Sequence, residues 1–169
     1  ATRAVTQRHR RLDALGGLHW MAGQPGVDPA RLGLVGWSNG GSTVLAATQG
    51  RRAEVREASH RASLAVAYYP GCETELKAGY EATAPLLLLV GAEDDWTPAA
   101  PCRELAATAR GAPVEIALYP GAYHGFDGTA PLRLRRDVPN GARPGQGVHA
   151  GAHAPSREAS RERLIDFVK

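Results

Sequence analysis

Gly36-Trp37-Ser38-Asn39-Gly40-Gly41 is the segment from which the fold of this chain is best predicted. The apolar run before it, 31–36 (RLGLVG), predicts a buried strand, and the small residues of 42–50 predict a helix after it. A strand, a sharp turn with Gly on both sides of a Ser, and a helix are the setting of a nucleophile elbow. The alternative is an ordinary Gly-rich strand–helix turn with a helix-capping Ser.

In an elbow of this kind the glycines flanking the Ser, Gly36 and Gly40, would prevent side-chain collisions at the turn. The Ser38 hydroxyl would then project into solvent at the edge of the sheet. The backbone N–H of Asn39 would face a developing oxyanion, aided by the helix N-terminus. A phosphate-binding loop is not supported, because no Lys follows in the required pattern.

Strands and helices alternate along the rest of the chain, which predicts parallel β-α units and an α/β fold. Further strands are predicted at 63–69, 85–90 and 113–119, and helices at 5–21, 54–61, 98–110 and 157–168. We expect Leu12, Leu15 and Leu18 of the first helix, and Leu164, Phe167 and Val168 of the last, to form apolar faces. Segment 125–155 has no clear element and forms either a wall or lid over the site or a surface excursion.

Polar residues of two further types follow the later strands. Asp94 and Asp95 follow the strand at 85–90, in GAEDDWTP, and His124 follows the strand at 113–119, in YPGAYHGF. In parallel units the loops after successive strands meet at one edge of the sheet. Ser38, an Asp and His124, in that chain order, are therefore a candidate triad for nucleophilic catalysis.

These three motifs resemble the dienelactone hydrolase family of the α/β-hydrolase superfamily. The resemblance implies an α/β-hydrolase fold, with Ser38 as nucleophile, His124 as base and an acid that orients the His. In such hydrolases the acid falls three residues after the Gly and four before the Pro, spacings that Asp94 meets and Asp95 does not. No cofactor or metal is expected, and the substrate would be a small-molecule ester or lactone.

One departure from the family concerns the nucleophile, which is Cys in dienelactone hydrolases proper and Ser38 here. A Ser hydroxyl needs a base to take its proton, so His124 is indispensable. The departure indicates a serine esterase-like enzyme that cleaves small carboxylic esters or lactones through an acyl-enzyme. The alternatives are a prolyl-oligopeptidase-type serine peptidase and a non-catalytic α/β-hydrolase scaffold.

The chain starts at Ala1 without a Met, and the family's N-terminal strands and second oxyanion donor find no counterpart in it. We therefore expect residues 1–169 to be the later part of a single α/β-hydrolase domain. Expressed alone, this span would be poorly soluble and inactive, because its first strand would leave an exposed edge. Localisation and oligomeric state stay open.

Aromatic residues flank the candidate triad, and we expect Trp37, Trp96 and Tyr123 to line a substrate pocket, although packing in the core is the alternative. Tyr69 occupies a similar position and is equally open. Cys72 and Cys102, the two cysteines of the chain, form either a disulfide or two buried free thiols.

The composition excludes a membrane protein and disfavours a nucleic-acid-binding protein. No run approaches the roughly 18–20 apolar residues of a membrane span, so a membrane protein is excluded. The net charge of +3 comes from dispersed Arg residues without a nucleic-acid motif, which disfavours nucleic-acid binding.

A metal site of Asp137, His149 and His153 is disfavoured, because Gly151 and Pro155 argue against a helix that would align the two His.

Overall fold

The structure of the protein, a computed structural model, describes residues 5–169. The start of the chain at Ala1 lies outside these described residues. The helices are α1 (Gln7–Ala22), α2 (Asn39–Ala47), α3 (Ala53–Arg56), α4 (Glu73–Lys77), α5 (Ala99–Thr108) and α6 (Ala154–Phe167), with a 3₁₀ turn at Pro29–Arg31. The strands are β1 (Gly33–Trp37), β2 (Leu64–Tyr68), β3 (Glu81–Ala82), β4 (Leu86–Gly91), β5 (Arg110–Gly111), β6 (Val114–Tyr119), β7 (Arg133–Arg135) and β8 (Val148–Ala150).

Within residues 5–169 the main sheet has four strands in the order β1-β2-β4-β6, and all of its pairs are parallel. Trp37 pairs with Tyr68, and Gly91 pairs with Tyr119, so these four strands end at the same edge of the sheet. The α/β fold with a parallel sheet flanked by helices is thereby confirmed. The loops that carry the candidate site residues leave from this one edge.

Strand β4 lies at the centre of the core, which explains its uninterrupted apolar sequence. All of its residues are buried, because helices cover both faces of a parallel sheet. Leu86 and Leu88 face one cluster, which includes residues of α2 and α5, and Leu87 and Leu89 face the other. Leu164 and Phe167 of α6 pack against this second cluster, as their spacing predicts.

Two expectations about apolar faces are wrong. Leu12 is exposed, and the buried positions of α1 are Arg11, Leu15 and Leu18, which follow the i, i+4, i+7 spacing of one helix face. The Arg11 guanidinium is accommodated by an ion pair with Glu54. Val168 is exposed because it follows the last residue of α6 and caps the helix.

The prediction of a helix over 54–61 is also wrong in extent, since α3 is a single turn. The residues that follow connect to α1 instead, where the Ser59 hydroxyl lies 3.0 Å from His19 Nδ1. Short elements were missed, among them the antiparallel pair β7–β8 inside segment 125–155. Strands of three residues are too short to show a period of two in the sequence.

Cys72 and Cys102 form a disulfide, which decides between the alternatives that the sequence left open. Cys72 caps the start of α4, Cys102 lies in α5, and both are buried in the core cluster under these helices. The bridge fixes the loop after β2 to the helix after β4. Among residues 5–169, no helix combines the length and the apolar character needed to cross a membrane.

Removal of this disulfide is expected to lower the free energy of unfolding. The bridge joins residues 30 apart in sequence, and closing a loop of that length contributes about 3–4 kcal/mol in the chain-entropy model. Urea denaturation of the Cys72→Ser/Cys102→Ser variant should show this loss, and wild-type protein with reductant should show the same loss. Equal stability of the reduced and oxidised proteins would contradict the expectation.

Candidate active site

Ser38 occupies the sharp turn between β1 and α2, in a backbone conformation that non-glycine residues rarely adopt. Its φ is 53° and its ψ is −117°, and such conformations cost of order 1–3 kcal/mol. Two backbone hydrogen bonds hold it there. The Ser38 N–H donates to Tyr68 O of β2 at 2.9 Å, and the Ser42 N–H donates to Ser38 O at 2.9 Å.

Of the two glycines expected to prevent collisions at this turn, Gly36 has that role and Gly40 does not. A Cβ on Gly36 would overlap the carbonyl oxygen of Gly40, so Gly36 is required, as predicted. A Cβ on Gly40 would meet nothing within 4 Å, so the expectation that Gly40 relieves a collision is wrong. Gly41 has that role, because its Cβ would lie 2.9 Å from Tyr68 O and would push α2 away from β2.

The structure brings Ser38, His124 and Asp94 into one hydrogen-bonded chain. Ser38 Oγ lies 2.8 Å from His124 Nε2, and His124 Nδ1 lies 2.9 Å from Asp94 Oδ2. A carboxylate accepts hydrogen bonds, so the proton of a neutral His124 ring belongs on Nδ1. The Nε2 lone pair then faces the Ser38 hydroxyl, which is the arrangement that a general base needs.

The Asp94 carboxylate is buried and held by its own loop. Its Oδ1 accepts hydrogen bonds from the backbone N–H groups of Trp96 at 2.9 Å and Thr97 at 2.8 Å. Thr97 Oγ1 lies 3.0 Å both from Asp94 Oδ2 and from Tyr69 O, so its single proton can satisfy either acceptor. These contacts leave Oδ2 directed at the His124 ring. The role of Thr97 was not predicted, although it lies in the motif that located Asp94.

The His124 ring is positioned by two aromatic neighbours, and its backbone contacts strand β8. Its centroid lies 4.6 Å from the ring of Tyr69 and 4.6 Å from the ring of Trp96. Its backbone forms a bridge with Ala150, and its carbonyl accepts a hydrogen bond from Gly151 N–H at 2.9 Å. Segment 125–155 therefore returns to support the His loop.

Asp95 is not part of the hydrogen-bonded series of Ser38, His124 and Asp94. It binds segment 125–155, which also supports the His loop. Its Oδ1 accepts a hydrogen bond from the backbone N–H of His149 at 2.8 Å, and its Oδ2 lies 2.7 Å from His149 Nδ1. The Asp95 carbonyl also accepts from Ala142 N–H at 2.7 Å. The geometry thus favours Asp94 over Asp95 as the residue that contacts His124, as the spacing indicates.

The candidate metal ligands are directed to different partners. His149 contacts Asp95, His153 contacts Ser156, and Asp137 pairs with Arg135. Among the described residues, no group of three or more His, Cys, Asp or Glu side chains is arranged to hold a metal ion.

The aromatic residues expected to bind substrate lie in three different surroundings. Trp96 lines a cavity of about 270 Å³ together with Gly71, Pro98, Pro101 and Ala142. Trp37 is 45% exposed and stacks on Tyr68. Tyr123 contacts the His149 ring and lines a separate cavity of about 540 Å³, which Asp94 and Asp95 also line. Trp96 is therefore the one of the three whose ring both contacts His124 and borders a cavity.

Asn39 is the first residue of α2, so its backbone N–H is one of the first four in the helix, which have no intrahelical acceptor. Its side chain is occupied elsewhere, since Asn39 Oδ1 accepts a hydrogen bond from Gln7 Nε2 at 2.9 Å. The backbone N–H is thus the group of Asn39 suited to an oxyanion beside Ser38.

Comparison with known proteins gives one matching family and several solved structures of similar fold. The sequence profile of the dienelactone hydrolase family matches residues 2–169. Esterase 2 of Thermogutta terrifontis, phosphoramylated by tabun, is similar with 17% identity and a TM-score of 0.68, over 98% of this chain and 67% of that chain. Two other structures of this esterase are bound to propionate and butyrate.

Two further solved structures share the fold. A protein from Klebsiella pneumoniae assigned to the dienelactone hydrolases has 21% identity and a TM-score of 0.65, over 97% of this chain and 62% of that chain. Porphyromonas gingivalis dipeptidyl peptidase 4 has 17% identity and a TM-score of 0.64, over 96% of this chain and 22% of that chain. The present chain thus spans less than two thirds of these two proteins, and at such identities the likeness shows the fold alone.

Alanine at Gly36 and at Gly40 is expected to have opposite consequences. Gly36→Ala forces a methyl group against the Gly40 carbonyl, and overpacking typically costs about 1–3 kcal/mol. Gly40→Ala enters open space in a helix, where Ala is favoured over Gly by up to about 1 kcal/mol. Urea denaturation of the two variants measures the difference, and equal destabilisation would contradict the elbow geometry.

Proposed function

This chain belongs to the dienelactone hydrolase family, and from that premise we propose that it cleaves small carboxylic esters or lactones through an acyl-enzyme on Ser38. The observation that supports the proposal is the hydrogen-bonded chain from Ser38 through His124 to Asp94. It provides a nucleophile, a base and an orienting acid in contact with one another. A non-catalytic scaffold has no need of this arrangement.

In the proposed reaction His124 Nε2 takes the Ser38 proton while Ser38 Oγ forms a bond to the substrate carbonyl carbon. The carbonyl π electrons move to its oxygen and produce a tetrahedral oxyanion. His124, now protonated at both ring nitrogens, is stabilised by the Asp94 carboxylate. It then donates the Nε2 proton to the leaving alkoxide as the C–O bond breaks, which leaves the acyl group on Ser38.

Deacylation repeats these steps with water. His124 takes a proton from a water molecule, and the resulting hydroxide attacks the acyl carbon. The carboxylic acid leaves as His124 returns the proton to Ser38 Oγ. In both halves we assign the backbone N–H of Asn39, at the positive end of α2, as one donor to the oxyanion.

The cavity of about 270 Å³ beside Trp96 supports a small acyl or alcohol group as the substrate portion held there. Its lining includes apolar side chains, Pro98, Pro101 and Ala142, with Glu73 among the remaining residues. The propionate- and butyrate-bound structures of the Thermogutta esterase agree with a short acyl group. Substrate contacts by Trp37 and Tyr123 stay predictions.

A serine peptidase is the second candidate function. We consider it because the fold is similar to that of dipeptidyl peptidase 4. The same hydrogen-bonded residues can cleave an amide, so the identity of the scissile bond has to be measured. Hydrolysis of p-nitrophenyl acetate and of a peptide p-nitroanilide by the natural full-length protein separates the two. We expect cleavage of the ester, and a preference for the anilide would favour the peptidase.

A fluorophosphonate probe is expected to label the natural full-length protein at Ser38, because it reacts with a serine whose proton is taken by a neighbouring base. Ser38→Ala should abolish both labelling and ester hydrolysis. Ser63→Ala, which alters a serine that donates to the carbonyl of Leu32, is the matched control and should change neither. Labelling that persists in Ser38→Ala would contradict the proposal.

The neighbouring carboxylates supply a second test. Asp94→Asn replaces the acceptor of the His124 Nδ1–H by a group that favours the wrong tautomer, and kcat should fall about 10³- to 10⁴-fold. Asp95→Asn retains an oxygen that can accept from the His149 N–H, so kcat should fall by about tenfold or less. Steady-state kinetics of both variants measure this difference. A larger loss for Asp95→Asn would show that the acid is misassigned.

A further inference from the structure

Asp127 accepts hydrogen bonds from two aromatic side chains, those of Trp37 and Tyr69. Its Oδ2 accepts from Trp37 Nε1–H at 2.7 Å, and its Oδ1 accepts from the Tyr69 hydroxyl at 2.6 Å. Trp37 directly precedes Ser38 in the chain, and Asp127 lies three residues after His124. A single carboxylate thus connects the strand end that carries the nucleophile with the loop that carries the base.

Each of the two donors is fixed by further contacts. The Trp37 indole stacks on Tyr68, the residue it pairs with across β1 and β2, at a centroid distance of 5.5 Å and an interplanar angle of 15°. Tyr69 has a φ of 37°, a strained value for a residue with a side chain. The contacts of the Tyr69 side chain with Asp127 and of its carbonyl with the Thr97 hydroxyl stabilise this conformation.

Tyr69 connects Asp127 to the base, because its ring contacts the His124 imidazole. Its ring centroid lies 4.6 Å from that of His124, and the Trp96 ring lies at the same distance from His124. A shift of the Tyr69 ring would therefore leave the His124 imidazole with support from Trp96 alone among its aromatic contacts in the described chain. Misplacement of a reacting group by about 1 Å can cost about 100-fold in rate.

The Tyr69 hydroxyl stays protonated in this network and therefore keeps its role as hydrogen-bond donor. Burial raises the pKa of the Tyr69 hydroxyl well above its usual range, and the hydrogen bond to Asp127 raises that pKa further. Tyr69 therefore stays a neutral donor throughout the pH range in which a His base operates. Among residues 5–169 Asp127 forms no ion pair, so its charge is compensated by these two hydrogen bonds. Bonds to a charged acceptor are the stronger kind.

We propose that Asp127 is a positioning residue for the contact between His124 Nε2 and Ser38 Oγ. Its hydrogen bond to Tyr69 holds the Tyr69 ring against His124. Its hydrogen bond to Trp37 holds the end of β1 that precedes Ser38. The inference rests on the proposed function, because it concerns the geometry of the same site. Asp127 acts through Tyr69 and Trp37 and takes no part in proton transfer. The network predicts a defect in the rate of acylation with little change in substrate affinity.

The test compares Asp127→Ala, Tyr69→Phe and the double variant in the natural full-length protein. Tyr69→Phe keeps the ring beside His124 and removes the hydroxyl, so it is the milder variant and serves if Asp127→Ala does not fold. Asp127→Ala should lower kcat for p-nitrophenyl acetate and the rate of fluorophosphonate labelling by about 10- to 100-fold, with KM changed less than about threefold. Tyr69→Phe should lower both rates in the same direction.

The double variant and two controls separate positioning from a general loss of stability. Residues that act through one network are non-additive, so adding Tyr69→Phe to Asp127→Ala should cause little further loss. Asp127→Glu, which keeps the carboxylate, should recover part of the rate. Asp137→Ala removes an exposed carboxylate of the same segment that pairs with Arg135, and kcat should be unchanged.

Outcomes that overturn the inference are distinct from those that overturn the proposed function. Wild-type labelling rates in Asp127→Ala or Tyr69→Phe would refute the positioning role, as would fully multiplicative losses in the double variant. In either case the loss of labelling in Ser38→Ala would still stand as support for the proposed function. Labelling retained in Ser38→Ala would refute that function itself.

Discussion

The contact between Ser38 Oγ and His124 Nε2 joins two loops that leave different strands of the sheet, and the rest of the site is organised around it. The contact requires the carboxyl ends of β1 and β6 to lie at the same edge, which the parallel register through β2 and β4 provides. It also requires the Ser38 hydroxyl to project from a turn too sharp for ordinary backbone. The fully buried β4 holds the register, since helices on both faces pack against it.

The free energy needed to hold the strained residues is supplied by their surroundings. Ser38 and Tyr69 are the described non-glycine residues with positive φ, and both are fixed by hydrogen bonds to neighbouring segments. Ser42 connects the Ser38 turn to the loop after β2, because its N–H donates to Ser38 O and its Oγ accepts a hydrogen bond from Gly71 N–H at 2.8 Å. The disulfide between Cys72 and Cys102 joins the loop after β2 to α5. Backbone strain of this kind is typical of functional sites.

The sequence was sufficient to predict the strand–helix alternation and the candidate triad, because these depend on local patterns. The apolar runs predicted β1, β2, β4 and β6, and the spacing of Asp94 from Gly91 and Pro98 separated it from Asp95. The features that were missed depend on contacts between residues distant in sequence. Asp127 contacts Trp37, 90 residues away, and no local pattern marks such a pair. Gly41 likewise matters because α2 approaches Tyr68 of β2, which the turn motif does not reveal.

The most direct test of the proposed mechanism is to capture the acyl-enzyme during turnover. The natural full-length protein is mixed with p-nitrophenyl acetate, quenched with acid within the first turnovers, and digested for peptide mapping by mass spectrometry. If Ser38 is the nucleophile, the acetyl group should be found on Ser38, and it should accumulate when deacylation is slower than acylation. An acetyl group on another side chain, or ester hydrolysis that persists in Ser38→Ala, would contradict the mechanism.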